Sequence, residues 1–327
     1  MVEARRRRFL AQGAGAVGFA CLSTVLVASL AACDAGDGSV AGSAGPADDG
    51  IRADVAQAER RLIAEYDRAL PGARAGLRPT LEFLRDQHAA HLAAVLGADA
   101  AAPPDTSTPA SDSAEAAGDE GADPVAVLLR AERDAFAERT TTAVGSTDPG
   151  LTRLLALIAA AEASHVPYLQ RMTSTGRVTA DTAPVGSAAE PTAAPLEGDP
   201  LSTSLAAVVA GEDAAVWAYG VVGAHLAGAN GRQAHRLLDQ HRAARQRWAS
   251  RMANPPAAAV AYDTDAPIAS GDQARELAIV VERRLVGVYA DAAAATQGDL
   301  RAAAIADGAA GAARAVQWGA KPAPFGT

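Results

Sequence analysis

The stretch ERRLIAEY at residues 59–66 has a counterpart later in the chain, EDAAVWAY at residues 212–219. Each stretch places a glutamate and a tyrosine seven residues apart, which puts the two side chains on one face of a helix. Further matches follow in register, namely Asp-Gln-His at 86–88 and 239–241 and Glu-Arg at 132–133 and 282–283. Because these motifs recur in the same order, the chain is predicted to be an internal duplication of one helical unit.

Four helices are predicted in each half, because apolar residues recur there at helical spacing. In the first half these segments are Ala53–Leu70, Thr80–Leu96, Pro124–Val144 and Leu151–Met172. In the second half they are Thr203–Leu226, Arg232–Met252, Asp272–Ala295 and Leu300–Ala320. Hydrophobic residues make up 49% of the 327 residues and aromatics only 4%, which favours closely packed helices over a β-sandwich. The predicted fold class is all-α, with two tandem four-helix bundles.

A long, low-complexity connection separates the second and third helices of each half, at Gly97–Asp123 and at Ala253–Gly271. One long crossover in the middle of a four-helix bundle is typical of the ferritin-like arrangement. An up-down bundle with a long insertion is the alternative. The recurrence of the long connection in both halves favours the crossover.

Ionisable side chains interrupt the apolar stripes of the first half near the middle of each helix. They are Glu59, His88, His91, Glu132, Glu162 and His165. A buried charge without a partner costs several kcal/mol, so these groups are expected to pair with one another or to bind a cation. Glu162 and His165 are three residues apart, which places both on one helix face, where they can ligate the same ion.

This pattern resembles the ferritin-like di-metal carboxylate proteins, which supply one glutamate from each of two helices and a Glu-x-x-His pair from each of the other two. The resemblance implies that Glu59 and Glu132 are the single glutamates and that Glu162-x-x-His165 is one pair. The other pair departs from the pattern, because it is His88-x-x-His91 and lacks a bridging carboxylate. That departure argues against a dinuclear centre. Three Glu and three His still suit Fe, Mn or Zn.

The second half keeps only some of these residues. Glu212, His241 and Glu282 remain, while alanine stands at the positions of the other three, Ala244, Ala312 and Ala315. The run at 212–222 resembles an uncharacterised ferritin-like domain of high-GC bacterial lipoproteins, known as domain of unknown function 4439, over most of Leu201–Phe325. That family brings no established activity. The second bundle is expected to hold no metal.

A metal-free role for the six residues of the first half is the alternative, since buried glutamates and histidines can neutralise one another in a hydrogen-bonded network. Three other polar residues are given ordinary roles. Arg139 is expected near a bundle end with its guanidinium in solvent. His225 and His235 are expected to be surface or packing histidines.

The N-terminus has the features of an export signal. Arg5–Arg8 is basic, Gly13–Ala32 is uncharged and mostly apolar, and small residues precede Cys33. This resembles a bacterial lipoprotein signal, which implies lipidation of Cys33, and Arg6–Leu10 resembles the twin-arginine export motif. A general secretory signal and a retained transmembrane helix are the alternatives. The predicted regions are a signal at 1–32, a tether at 33–50, bundles at 51–172 and 201–327, and a flexible linker at 173–200.

The composition narrows the function classes. A net charge of −9 argues against nucleic acid as a partner, because phosphate contacts need clustered Lys and Arg. The expected location is the extracytoplasmic face of the cell membrane, reached through a lipid anchor on Cys33. Two functions fit the sequence. The first is a lipoprotein whose first bundle binds Fe, Mn or Zn; if this protein is an enzyme, it is a metal-dependent oxidoreductase. The second is a non-catalytic lipoprotein that binds an envelope partner or small ligand. A cell-wall hydrolase or transferase ranks last, because no nucleophile motif is evident.

Overall fold

A computed structural model describes residues 46–97, 123–173, 199–259, 262, 264 and 267–327. These residues form eight helices and no strand, which confirms the all-α prediction. The helices are α1 Pro46–Ala69, α2 Arg78–Leu96, α3 Pro124–Gly145, α4 Pro149–Thr173, α5 Asp199–His225, α6 Gly228–Ala249, α7 Gly271–Ala295 and α8 Gly298–Trp318. The predicted signal, Cys33 and most of the linker lie outside the described residues.

Local signals account for several helix ends. The Asp123 side chain caps α3 by accepting a hydrogen bond from the Val125 amide, and the Ser270 hydroxyl caps α7 in the same way. Helix α1 begins seven residues before its predicted start at Ala53. Its first turn is held by a tertiary contact, because the Asp48 carboxylate accepts hydrogen bonds from Ser146 and Thr147 beyond the end of α3.

The first four helices form one bundle in which α2 and α3 occupy opposite corners, since α1 and α4 each pack against both. Arg52 near the start of α1 bonds the Val95 carbonyl near the end of α2, and Asp48 meets the loop after α3. Both neighbours therefore run antiparallel to α1, so α2 ends and α3 begins at opposite ends of the bundle. Residues 98–122, to which the crossover was assigned, lie outside the described residues.

The last four helices repeat this arrangement. Helix α5 packs against α6 and α7, and α7 packs against α8. The remaining side of the bundle is joined by Asp307 of α8, which accepts hydrogen bonds from Arg247 and Trp248 of α6 at 2.6 and 2.8 Å. Leu201–His225 in α5 is long and apolar enough to span a membrane by composition alone. Here it is a core helix, with Glu212 and Tyr219 buried inside the bundle.

The two halves share one hydrophobic core, because α4 packs against α7 and α8 as well as inside its own bundle. Every residue from Leu155 to His165 is buried, as expected for a helix with neighbours on all sides. Leu155 and Ile158 join Val286, Tyr289 and Ile305 in a single apolar cluster. The described residues between Ala44 and Thr327 accordingly form one compact unit. The domain boundaries assigned from the sequence stay a prediction.

A buried arginine adds a polar tie between the halves. The Arg301 guanidinium of α8 donates to the carbonyls of Ala143, Val144 and Ser146 at the C-terminal end of α3, the last at 2.5 Å. A helix C-terminus leaves its last carbonyls without partners inside the helix, so Arg301 satisfies groups that would otherwise need water. This contact closes the end of the first bundle with a residue from the second.

Candidate functional site

The six residues singled out in the first half lie together in the centre of that bundle. One comes from α1, two from α2, one from α3 and two from α4, and the side chain of each is fully buried: Glu59, His88, His91, Glu132, Glu162 and His165. We call this set the first cluster. The structure thus brings together every predicted ligand, while their occupation by a metal stays a prediction.

His88 is the centre of the first cluster. Its Nδ1 lies 2.9 Å from Glu59 Oε2, and its Nε2 lies 3.0 Å from Glu132 Oε1. Carboxylates accept hydrogen bonds, so both ring nitrogens carry protons and the ring is an imidazolium. Burial opposes this charge, but the charge and hydrogen bond of Glu132, and then those of Glu59, raise the pKa of His88 to about 10.

The two carboxylates beside His88 are held in their charged forms. Burial alone would raise the pKa of Glu59, but the hydrogen bond from His88 and the nearby His91 ring hold that pKa well below its usual range. Burial also acts on Glu132, and there the charges of His165 and His88 outweigh it and lower the pKa. The Tyr66 hydroxyl donates a further hydrogen bond to Glu132 Oε1. Glu59 and Glu132 are therefore anions at neutral pH.

Arg139 was expected to reach solvent, and that prediction is wrong. Its side chain is fully buried, and Nη2 lies 3.1 Å from Glu59 Oε1 and 3.3 Å from Glu162 Oε1. Arg139 stands two turns after Glu132 on the same face of α3, so it points at the first cluster. The partners of Arg139 lie on α1 and α4, so the pattern of α3 alone did not show that its guanidinium turns inward.

Glu162 differs from the other two glutamates. Burial raises its pKa to about 8, the Arg139 charge opposes that rise, and the charge of Glu59 adds to it. The carboxyl is therefore protonated at neutral pH, and its Oε2 has no hydrogen-bond partner. His91 Nδ1, also buried, has none either, and it lies 3.6 Å from Glu59 Oε2. Burial lowers the pKa of His91, so its ring is neutral.

These atoms include donor sets suited to a cation. Glu59, His88, His91 and Glu162 each offer one ligand atom within 4.8 Å of the others, and His88, Glu132 and His165 form a second such group. Two nitrogens and two oxygens suit Fe, Mn or Zn. The two unpartnered ligand atoms, His91 Nδ1 and Glu162 Oε2, belong to the first group, which therefore fits an ion better. Binding requires His88 to release a proton, because both of its ring nitrogens are protonated.

One further participant, Gln87, was missed as a site residue. Gln87 is buried, its Oε1 lies 3.1 Å from His165 Nε2, and its amide nitrogen donates to the Pro322 carbonyl at 3.2 Å. The recurrence of Asp-Gln-His in both halves was a signal for this position. It did not distinguish the halves, because the equivalent Gln240 is exposed.

The second half contains a matching arrangement, which we call the second cluster. His241 lies between Glu212 at 2.8 Å and Glu282 at 3.2 Å, and the Tyr219 hydroxyl donates to Glu282 at 2.6 Å. The charges of Glu282 and Glu212 outweigh burial and raise the pKa of His241 to about 9. The counter-charge differs from the first half, because Arg314 of α8 donates to Glu282 at 2.8 Å.

Other positions of the second cluster have also changed. Tyr289 stands at the position of Arg139, and its hydroxyl donates to Glu212 Oε1 at 2.5 Å. Ala244, Ala312 and Ala315 replace the remaining ligands, so three predicted ligand residues are left. One carboxylate oxygen among them, Glu282 Oε2, has no hydrogen-bond partner. His225 and His235 lie away from this cluster, and the His235 ring packs beside Gly223 on α5.

Residues 204–326 match the model of a family described as Domain of unknown function (DUF4439). The match covers nearly all of α5, the helices α6–α8 and the C-terminal segment, so the second half is similar to that family. No curated protein and no solved structure matches the chain. Since the matched family carries no assigned activity, the geometry of the two clusters has to carry the functional argument.

Proposed function

We propose that the first half binds one divalent transition-metal ion, Fe, Mn or Zn, through Glu59, His88, His91 and Glu162. The observation that carries this proposal is the pair of buried ligand atoms without partners, His91 Nδ1 and Glu162 Oε2. A buried polar atom left without a partner costs about 1–3 kcal/mol. The Nδ1 lone pair of a neutral His91 also faces the Glu59 carboxylate, and a cation between them would be bound by both.

Bound iron or manganese would supply one-electron chemistry, which would make this half a metal-dependent oxidoreductase. The residues of the chain have separate tasks. Glu59 and Glu162 supply anionic oxygens once the cation has displaced the Glu162 proton, and His88 supplies nitrogen after losing one proton to a base. Tyr66 and Glu132 stay hydrogen-bonded to each other beside the ion. The order of helix neighbours in each bundle supports a ferritin-like ancestry.

A metal-free role is the second candidate, and a specific observation favours it. Arg139 already pairs with Glu59 and Glu162, and the His88 imidazolium already forms ion pairs with Glu59 and Glu132. The first cluster thus has internal counter-charges, as the second cluster does with Arg314. In this case the protein would be a structural lipoprotein or one that binds an envelope partner or ligand.

Elemental analysis by mass spectrometry separates these functions. The unit Ala44–Thr327, purified without a histidine tag, is expected to contain about one equivalent of Fe, Mn or Zn. Glu162→Gln should lose it, whereas the matched variant Glu212→Gln in the second cluster should keep it. Added metal at one hundred times its dissociation constant should stabilise the protein by about 2.7 kcal/mol. Protein without metal, and without a thermal shift on adding metals, would leave the structural role.

We further propose that the protein is anchored by lipid on Cys33 at the extracytoplasmic face of the cell membrane. The sequence supports this with a basic segment, an apolar segment and small residues before the cysteine. Cys33→Ala should abolish labelling by a fatty-acid analogue and move the protein out of the membrane fraction. Replacing Arg6 and Arg7 by lysine should block export only if the twin-arginine route is used.

A further inference from the structure

The C-terminal segment Gly319–Thr327 belongs to the second half but lies on the first cluster. It leaves α8 at Gly319, and the His91 Nε2–H donates to the carbonyl of Pro324. The Phe325 ring lies 5.8 Å from the His91 ring, measured between centroids. Gln87, which contacts His165, donates to the Pro322 carbonyl. This segment therefore contacts the first cluster directly at His91 and reaches His165 through Gln87.

The segment is held in place along its length. Arg171 of α4 donates to the Ala320 carbonyl at 3.1 Å, and Arg283 of α7 donates to the Lys321 carbonyl at 2.9 Å. Near the end, Gly326 is buried with a φ of +70°, and a Cβ there would lie 2.9 Å from Ala160 Cβ. Only glycine fits such a close approach at positive φ without strain. The position of the Pro324 carbonyl is thus defined from both sides.

The Pro324 carbonyl determines where His91 carries its proton. A carbonyl oxygen only accepts hydrogen bonds, so His91 Nε2 must be the protonated nitrogen. In a neutral ring the other nitrogen, Nδ1, then has a free lone pair. Nδ1 is the atom that faces Glu59 and has no hydrogen-bond partner. In metalloproteins the non-ligating nitrogen of a histidine commonly donates to a carbonyl or carboxylate in this way.

The second contact of the segment determines the orientation of the Gln87 amide. The Pro322 carbonyl can only accept, so the Gln87 amide turns its nitrogen to the segment and its Oε1 to His165. Because Oε1 also only accepts, His165 Nε2 must carry a proton, and His165 turns Nδ1 to Glu132 at 3.1 Å. The segment thereby orients a histidine on each of two helices.

We propose that Gly319–Thr327 is a working part of the first half's metal site, in which the Pro324 carbonyl holds the Nε2 proton of His91 and presents Nδ1 to the ion. The inference rests on the proposed metal-binding function. It assigns a task to the second half, which has lost three ligand residues but carries the segment that completes the other site. Pro324 and Gln87 act as positioning residues.

The test compares two truncations of the unit Ala44–Thr327. One ends at Lys321 and removes both carbonyl contacts, and the matched control ends at Gly326 and keeps them. Zn²⁺ affinity, measured by competition with a chelating dye, is expected to fall about 10–100-fold in the first and to stay unchanged in the control. Nitrogen-15 NMR of the metal-free protein should show His91 as the Nε2–H tautomer with the segment present and as a mixture without it.

A second pair of variants keeps the chain length and guards against misfolding of the truncated protein. Gly326→Ala forces the segment away from Ala160, and it should weaken Zn²⁺ binding and mix the His91 tautomers. Gly298→Ala is the control, because Gly298 also has positive φ but no atom within 4 Å of a built Cβ. Zn²⁺ binding that ignores both the truncation and Gly326→Ala overturns this inference and leaves the proposed function standing. An intact protein that binds no metal overturns both.

Discussion

The two clusters share a core of two glutamates, a histidine and a tyrosine, but in each a different helix supplies the arginine that balances the carboxylates. In both, one histidine bridges carboxylates from two helices, at 2.9 and 3.0 Å around His88 and at 2.8 and 3.2 Å around His241. In the second cluster Arg314 comes from α8, where the first half has Ser164. In the first cluster the arginine is Arg139 from α3, and the cluster has three more ligand residues, His91, Glu162 and His165. The residues common to both clusters can therefore be explained by the stability of the fold. The three ligand residues found only in the first cluster are the ones that indicate a function.

The largest expected effect comes from the cation that distinguishes the clusters. Arg139→Met removes the buried cation that pairs with both Glu59 and Glu162, which should cost about 3–5 kcal/mol of the free energy of unfolding in metal-free protein. The equivalent Tyr289→Phe removes only one hydrogen bond to a carboxylate and should cost less. Urea denaturation measures both. If an ion replaces Arg139, saturating Zn²⁺ should shrink the loss in Arg139→Met, and an unchanged loss would weaken the comparison.

The pH dependence of stability is the next effect in size. The pKa of His241 is about 9 in the folded protein, against the usual 6.5 of a histidine in the unfolded chain, so its contribution is complete below about pH 6.5 and is lost as pH rises through 9. The shift corresponds to roughly 3 kcal/mol. His88 shifts in the same direction to about 10, so it loses stability over the same range and on to pH 10. His241→Gln should therefore reduce the loss between pH 7 and 9 by about half in urea titrations and leave the part that His88 contributes.

The smallest effect tests the tyrosines of the shared core. Tyr66→Phe and Tyr219→Phe each remove a hydrogen bond to a buried carboxylate, worth about 1.5–3 kcal/mol. Tyr219 also accepts a hydrogen bond from the Trp318 indole at 2.8 Å, so its loss leaves a second buried group without a partner. Thermal denaturation should show the larger destabilisation for Tyr219→Phe. Equal losses would mean that the indole contact contributes nothing.

Much of the fold could be predicted from the helical spacing of apolar residues, which is repeated in the two halves of the chain. Helical spacing predicted the number of helices in the described residues, and most helix ends fall within four residues of their predicted positions. The exception is α1, whose first turn depends on Asp48 reaching the loop after α3. A contact between residues 98 positions apart leaves no trace in the periodicity of either helix.

The sequence by itself determined which side chains would meet in the first cluster, because residues spaced three, four or seven apart on an amphipathic helix must share its buried face. The tertiary structure alone decided what surrounds them. Arg139 is buried because its guanidinium turns inward to Glu59 of α1 and Glu162 of α4, and His91 carries its proton on Nε2 because a carbonyl 233 residues away accepts it. Such contacts depend on how the helices and the two halves pack, which helical periodicity does not encode.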